Sequence, residues 1–147
     1  MFALIYLMVR FSDLDLIKIL LENARMPYVK IAERLGVTET AVRKRIARLE
    51  REKIIKGYTV QVDLRKLGFE IDALIGVDTK PEYFLHVLQR LKNMDEVISL
   101  YSSSGDHMIL AECWFRNSEE LTKFVEKLES MEGVTRVCPA ILLEKVK

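Results

Sequence analysis

The sequence predicts an α+β chain of two modules, a helical N-terminal half and a C-terminal half in which strands and helices alternate. Helical spacing of apolar residues persists to about residue 56, and strand-like runs follow it. The charge also changes sign: residues 1–66 carry 14 Lys and Arg against 8 Asp and Glu, whereas residues 67–147 carry 9 against 14. A basic module beside an acidic one suggests that only the first meets a polyanion.

The first predicted helix follows Ser12, which forms a capping-box pattern with Asp15. It should end near Asn23–Arg25, because Pro27 disfavours helical backbone in the residue before it. Five apolar residues with helical spacing form its predicted buried face. They are Leu14, Ile17, Leu20, Leu21 and Ala24.

Two more helices are predicted around a turn at Gly36, one over roughly Val29–Leu35 and a longer one capped by Thr38. This is the order of a helix-turn-helix, whose second helix enters a DNA major groove. Apolar residues mark the inward face of the longer helix: Val42, Ile46 and Leu49. Mostly polar residues mark its outward face: Glu39, Thr40, Arg43, Lys44, Ala47, Arg48 and Arg51.

The longer helix is rich in basic residues, and only three acids stand among residues 38–56. A run of charges is usually a solvated helix face, but the preceding helix, turn and cap favour DNA binding. Phosphates should take most of the charges, and the start of the helix should read bases. The predicted DNA-binding residues are Thr38, Glu39, Thr40, Arg43, Lys44, Arg45 and Arg48.

Residues 57–68 are interpreted as a linker strand, because Tyr58, Val60 and Val62 alternate with polar residues. The predicted domains are therefore a helix-turn-helix domain over residues 10–56, this linker, and a third segment over residues 69–147.

The last segment predicts strand, helix, strand, strand, helix and strand, which is the ferredoxin-like βαββαβ order. The predicted ranges are a strand at Ile71–Thr79, a helix from Pro81 to Lys92, strands at Val97–Ser103 and His107–Phe115, a helix capped by Asn117 and ending at Ser130, and a strand at Val134–Leu143.

Apolar residues occupy both sides of the last two strands of this domain. Met108, Leu110 and Trp114 point away from Ile109 and Ala111. In the last strand, too, the residues that point to either face are largely apolar. Because both helices of such a fold cover the same sheet face, the other face needs a second cover. A second copy of the same sheet is the simplest one, so we expect an obligate dimer.

A polar loop, Ser102–His107, joins two apolar strands. Taken alone, it is most simply a β-turn, since Ser, Gly and Asp are turn residues. It could also grip the two ends of an amino acid, with N–H and hydroxyl donors for the carboxylate and Asp106 for the ammonium group.

Other residues argue against further chemistry. Cys113 and Cys138 lie in apolar runs and are interpreted as free buried thiols rather than a disulfide. No Cys and His spacing suggests a metal site, and neither His86 nor His107 has an evident nucleophile partner, so we expect no cofactor and no enzyme activity.

The first nine residues, MFALIYLMV, are too few to span a membrane and lack the features of a signal peptide. We expect either a true start at Met8 or a segment packed at an interface. No membrane partner is predicted, and the expected location is the cytoplasm.

The chain resembles archaeal members of the Lrp/AsnC, or feast/famine, transcription regulators from about Phe11 to its C-terminus. The resemblance rests on the order and spacing of DLDLIKILLENAR, IAERLGVTETAVRKRIARLE, GYTVQVD, GVDTKPE, SSGDHMI and GVTRVCPAILLEK. It implies a winged-type helix-turn-helix, a ferredoxin-like effector domain, dimers formed through the C-terminal sheets, and assembly into octamers or larger discs.

The resemblance also implies an amino-acid effector bound between dimers, near the polar loop and the start of the last strand. The effector residues it indicates are Tyr101, Ser103, Ser104, Gly105, Asp106, His107, Val134, Thr135 and Arg136. Many relatives have an aromatic residue and a second acid after the glycine-aspartate pair, where this chain has His107 and Met108. That departure leaves open an unusual ligand, or none.

The resulting hypothesis is a sequence-specific DNA-binding regulator, a repressor or autorepressor, whose assembly or operator affinity responds to an amino acid or related metabolite. The alternative is an architectural protein that coats DNA without a ligand and with little sequence preference.

Overall fold

The computed structural model describes residues 11–147, so the predictions for residues 1–9 lie outside the described chain. Two compact units divide between Gln61 and Val62. The first contains three helices: α1 (Asp13–Glu22), α2 (Tyr28–Leu35) and α3 (Glu39–Arg51).

Each predicted end signal of these helices is present. The Ser12 hydroxyl accepts from the backbone N–H of Asp15, and the Asp15 carboxylate accepts from that of Ser12, which completes the capping box. Gly36 ends α2 in left-handed backbone with φ of 65°. The Thr38 hydroxyl accepts from the N–H of Ala41 and begins α3.

The predicted buried face of α1 is wrong at two of its five positions. Leu14 and Leu21 are 60% and 71% exposed, whereas Leu16 and Ile19 are 0% and 5% exposed and join the core formed with α2 and α3. The other predicted members are half-buried. Apolar residues lie on several sides of this helix, so its spacing fits more than one face, and the packing of its neighbours decides which is buried.

The predicted linker strand is not formed in the single chain. Residues 57–68 contain a 3₁₀ turn at Arg65–Leu67 and no strand. A strand requires a hydrogen-bonded neighbour. Here Tyr58 and Val60 are 55% and 77% exposed instead.

The second unit has the predicted ferredoxin-like order. Its elements are β1 (Ile71–Thr79), α4 (Phe84–Lys92), β2 (Val97–Ser102), β3 (Ile109–Phe115), α5 (Ser118–Glu129) and β4 (Val134–Ile141), with a 3₁₀ turn at Pro81–Tyr83 before α4. The four strands form one antiparallel sheet in the order β2-β3-β1-β4. β3 begins two residues later than predicted and β4 ends two residues earlier.

One face of this sheet carries the core. Its residues are fully or almost fully buried together with the apolar residues of α4 and α5. The sheet contributes Ala73, Ile75, Val77, Ile109, Ala111, Cys113 and Phe115, and the helices contribute Val87, Leu91, Leu121, Phe124 and Leu128.

The opposite face, called here the open face, carries neither of the two α-helices of this unit. Residues of β3 alternate between buried and half-buried, which confirms the predicted division of this strand between two faces. Leu110 and Trp114 on the open face are half-buried. Beyond β4, Leu142 and Leu143 are 45% and 90% exposed. An apolar surface of this kind is typical of an interaction face.

The corrected face of α1 predicts unequal effects of two leucine substitutions. Leu16→Ala should destabilise the first unit by about 2–5 kcal/mol, because it leaves a cavity in the core. Leu21→Ala should change stability by less than about 0.5 kcal/mol. Hydrogen–deuterium exchange of the α3 amides in the full chain measures both. Equal protection in the two variants would contradict the packing described.

Candidate functional site

The exposed start of α3 forms the first candidate site. Thr38, Glu39, Thr40, Arg43 and Lys44 are all exposed. A helix that projects such residues beyond its cap can place them against base edges and phosphates.

Arg43 and Lys44 differ in their surroundings. Nη2 of Arg43 donates to Oε1 of Glu39 at 2.7 Å, and its guanidinium lies 5.1 Å from the centre of the Tyr28 ring. These contacts are exposed and weak, so a nucleic-acid group can replace them. Lys44 has no hydrogen bond or ion pair with any described residue and is available to a phosphate.

Arg45 and Arg48 instead hold α3 to the start of α1. Nη1 of Arg45 donates to Oδ1 of Asp13 at 2.7 Å and to the carbonyl of Phe11 at 3.2 Å, and Nη2 of Arg48 donates to the same Asp13 oxygen at 2.6 Å. Hydrogen bonds from Arg48 and then Arg45 lower the pKa of Asp13.

Arg48 is therefore not fully outward as predicted. Its side chain is 34% exposed and that of Arg45 is 27% exposed. Periodicity placed Arg48 at the margin of the outward face, and the attraction of Asp13 turns the guanidinium toward α1. Both arginines position the helix, which the sequence pattern did not indicate.

The polar loop forms the second candidate site, between β2 and β3. The N–H of Ser103 donates to the carbonyl of Met108, and the N–H of Gly105 donates to the Ser103 hydroxyl at 3.1 Å. No described residue accepts from the backbone N–H groups of Ser104 and Asp106. The Asp106 side chain is 81% exposed. The loop thus presents both N–H donors and a carboxylate.

Arg136 connects this loop to β4. Its Nη2 donates to the carbonyl of Asp106 at 2.9 Å and lies 3.3 Å from Oδ1 of that residue. The Nε2 atom of His107 lies 3.5 Å from the Asp106 carboxylate. Two predicted effector residues of the loop, Asp106 and His107, are therefore in direct contact with a third, Arg136, which lies about 30 residues away in sequence.

Asp78, which the sequence interpretation missed, lies at the centre of this group. Its carboxylate accepts from Nε of Arg136 at 2.8 Å and from the N–H of Met108 at 3.0 Å, and contacts Nδ1 of His107 at 2.9 Å. Burial acts to raise its pKa, but the hydrogen bonds from Arg136, Met108 and His107 lower it from 3.8 to about 2. The only available signal was its place in the GVDTKPE segment.

The remaining predicted effector residues lie around this cluster without hydrogen bonds to it. Val134 and Thr135 line a surface depression of about 320 Å³ together with Arg136, Val137 and Glu129. Tyr101 is 56% exposed on β2. Ser104 is exposed in the loop.

Residues 11–147 contain no group of three His, Cys, Asp or Glu side chains that could hold a metal ion. No helix among them is long and apolar enough to cross a membrane. Cys113 and Cys138 are free thiols; Cys113 is buried as predicted, whereas Cys138 is only half-buried. Burial raises the pKa of Cys113 to about 12. His86 lies exposed on α4.

The first unit has three helices, of which one is basic and exposed. The second is a ferredoxin-like unit whose polar loop could bind a ligand. Together these features are typical of a class of DNA-binding regulators. Comparisons agree with that class. The AsnC-type helix-turn-helix domain matches residues 12–50, and the Lrp/AsnC ligand binding domain matches residues 72–147.

Relatives of known name extend the match over nearly the whole chain. The HTH-type transcriptional regulator LrpA of Pyrococcus horikoshii is 47% identical over 136 residues, which are 92% of this chain and 96% of the relative. LrpA of Pyrococcus abyssi is 45% identical over 141 residues, 95% of this chain and 100% of the relative. The chain belongs to the Lrp/AsnC family of transcriptional regulators, which are not enzymes.

Solved structures share the fold at lower identity. AsnC of Escherichia coli has a TM-score of 0.74 at 23% identity and covers 94% of this chain and 95% of its own. The regulator NMB0573 of Neisseria meningitidis, solved as a complex with L-Met, has a TM-score of 0.76 at 22% identity and covers 94% of this chain and 93% of its own.

The lowered pKa of Asp78 predicts an acid dependence of stability. A folded-state pKa of about 2, below the ordinary 3.8, means that ionised Asp78 stabilises the fold fully above pH 3.8 and loses this contribution as the pH falls toward 2. The loss should be about 2 kcal/mol. Urea unfolding followed by fluorescence of Trp114, the single tryptophan of the chain, reports it for the C-terminal unit.

The matched variants are Asp78→Asn and Asp95→Asn, the latter at an exposed acid between α4 and β2. Wild type and Asp95→Asn should lose stability together over this pH range, whereas Asp78→Asn should lose less. If the stability of Asp78→Asn fell with pH in parallel with that of the wild type, Asp78 would not be the source of the acid dependence.

Proposed function

We propose that this regulator reads a specific operator through the start of α3 and represses transcription, including that of its own gene, from the cytoplasm. The observation that carries the proposal is the division of the α3 cations. Arg45 and Arg48 are held by Asp13, so Arg43 and Lys44 are the cations that remain available in the first two turns of the helix, whereas exposed Arg51 lies at its far end. Arg43 suits guanine recognition and Lys44 suits phosphate.

The effector in this proposal is an α-amino acid held at the polar loop. Backbone N–H groups of Ser104 and Asp106 suit its carboxylate, and the exposed carboxylate of Asp106 suits its ammonium group. The complex of the Neisseria meningitidis neighbour with L-Met supports this chemical class of ligand.

The proposed assembly is a dimer formed through the open faces of two C-terminal sheets, with several dimers joined into an octamer or larger ring. Exposed apolar residues of the open face support it. Two buried polar atoms on that face, Oδ1 of Asp72 and Nε1 of Trp114, have no hydrogen-bond partner in the described chain. Because both atoms are already buried within the single chain, an internal water or a local movement on association would have to pair them.

Coupling between the two sites follows from this assembly. A dimer presents two recognition helices about one DNA turn apart, ~34 Å, on a pseudo-palindromic site. An amino acid bound between dimers stabilises one arrangement of them by its differential affinity, and thereby changes operator affinity.

Arg43→Ala combined with Lys44→Ala should weaken operator binding by at least about tenfold, because a lost arginine–guanine contact alone costs about 1–3 kcal/mol. Each lost phosphate contact also reduces the salt slope of log K by about 0.9. Fluorescence anisotropy with a duplex selected from random-sequence DNA by the wild-type protein measures both quantities at several salt concentrations.

The control is Lys123→Ala with Lys127→Ala, which removes the same charge from the exposed side of α5. It should leave the affinity near wild type. Retained binding by the Arg43 and Lys44 variant would remove these residues from the site. A preference over random DNA far below about 10³-fold would favour the architectural alternative.

A panel of the twenty standard amino acids should contain at least one that raises the melting temperature by several degrees. A ligand at about 100 times its Kd adds about 2.7 kcal/mol to the stability of the protein that binds it. Asp106→Ala should abolish the shift, because it removes the partner of the ammonium group. Differential scanning fluorimetry measures it.

Asp95→Ala, at an exposed acid outside the loop, serves as the control and should retain the shift. A shift that survives in Asp106→Ala would place the ligand elsewhere. The absence of any shift across the panel would contradict an amino-acid effector while leaving the DNA-binding assignment in place.

A further inference from the structure

Asp78 joins three segments of the C-terminal unit through one carboxylate. Its Oδ1 accepts from the backbone N–H of Met108, and its Oδ2 contacts both Nε of Arg136 and Nδ1 of His107. The side chain is only 15% exposed. A shielded carboxylate with charge-assisted partners on both sides fixes their relative positions.

The sheet register explains how one residue reaches both sides. β1 lies between β3 and β4, and Asp78 is paired directly with Arg136 on β4. On the other side, Val77 is paired with Ile109, the first residue of β3. Asp78 therefore stands beside the segment where the polar loop enters β3, and the loop and β4 meet across it.

The guanidinium of Arg136 is oriented by these contacts. Its Nε faces Asp78, and its Nη2 faces the carbonyl of Asp106. Its Nη1 has no hydrogen bond to any described residue, and the side chain is 49% exposed. A guanidinium is a rigid planar fork, so fixing one edge determines where the remaining N–H groups point.

His107 is held between Asp78 and the backbone of β1 at Gly76. A methyl group at Gly76 would lie 2.3 Å from Cδ2 of the His107 ring, so the ring occupies space that only glycine leaves on β1. With the ring against the strand and its Nδ1 on Asp78, the loop cannot shift without breaking the contacts of Asp78.

We propose that Asp78 is a positioning residue of the effector site, which holds Arg136 through Nε so that Nη1 donates a hydrogen bond to one oxygen of the ligand carboxylate. The loop N–H groups donate to the other oxygen. This inference rests on the proposed amino-acid effector site and adds to it two roles, a carboxylate receptor at Arg136 and its anchor at Asp78.

The test is a double-mutant cycle in the full chain with Asp78→Asn, Arg136→Gln and both together. The probes are the twenty standard amino acids, first by melting temperature and then by calorimetric Kd for each one that shifts it. Each single variant should weaken binding by about tenfold or more, as expected for a lost charged contact. The double variant should bind no worse than Arg136→Gln, because Asp78 acts through Arg136.

Arg136→Lys separates positioning from charge balance. Lysine keeps a positive charge beside Asp78 but lacks the fork that contacts Asp78 and a ligand at once. It should therefore lose ligand affinity as Arg136→Gln does, although it keeps the stability of the unliganded protein. Asp63→Asn with Lys66→Gln, an exposed ion pair of the same unit, is the control and should leave Kd unchanged.

The outcomes separate this inference from the effector site itself. Full affinity in Asp78→Asn with lost affinity in Arg136→Gln would overturn the role of Asp78 alone. Additive losses in the double variant, or full affinity in Arg136→Lys, would also overturn positioning. Full affinity in both Arg136→Gln and Asp106→Ala, or no bound amino acid at all, would overturn the effector site and this inference with it.

Discussion

The C-terminal unit depends on one geometric constraint: α4 and α5 cover a single face of its four-stranded sheet. That face supplies the core, with Ile75 and Val77 of the central strand fully buried. The next residues along the same strand must then point to the other face, because side chains alternate along a strand. Gly76 and Asp78 are among them. Gly76 leaves the space that the His107 ring occupies, and Asp78 holds Arg136. The same alternation leaves an apolar surface on the open face, which suits a second copy of the sheet.

In each unit, one aspartate holds two basic side chains in place: two arginines in the first unit, and an arginine and a histidine in the second. Asp13 holds Arg45 and Arg48 in the N-terminal unit, and Asp78 holds Arg136 and His107 in the C-terminal unit. In each case the pairs are partly shielded, where they are worth more than surface ion pairs. As a result, basic residues of the same unit have different roles. Some cations position an element, and their neighbours remain available for DNA or a ligand.

Local pattern predicted the fold well and the side-chain contacts poorly. The helix caps, the order of strands and helices, and the two-faced character of β3 follow from spacing within a dozen residues, and each is present in the structure. The buried face of α1 was predicted only in part, because its apolar residues fit several faces and only α2 and α3 select one. The linker strand is not formed without a neighbour. Asp78 was missed because its partner Arg136 is 58 residues away, and no local pattern marks a contact made through sheet register.

We propose that ligand binding in the C-terminal unit changes the DNA affinity of the protein. The coupling free energy between the two binding sites tests this directly. The affinity of the wild-type protein for its selected duplex should be compared with and without a saturating amino acid that binds it. Reciprocal linkage requires the ligand affinity to change by the same factor when DNA is bound. We predict that the DNA affinity and the ligand affinity each change by the same factor, about 5–150-fold. An identical DNA affinity with the ligand site full and empty would contradict it.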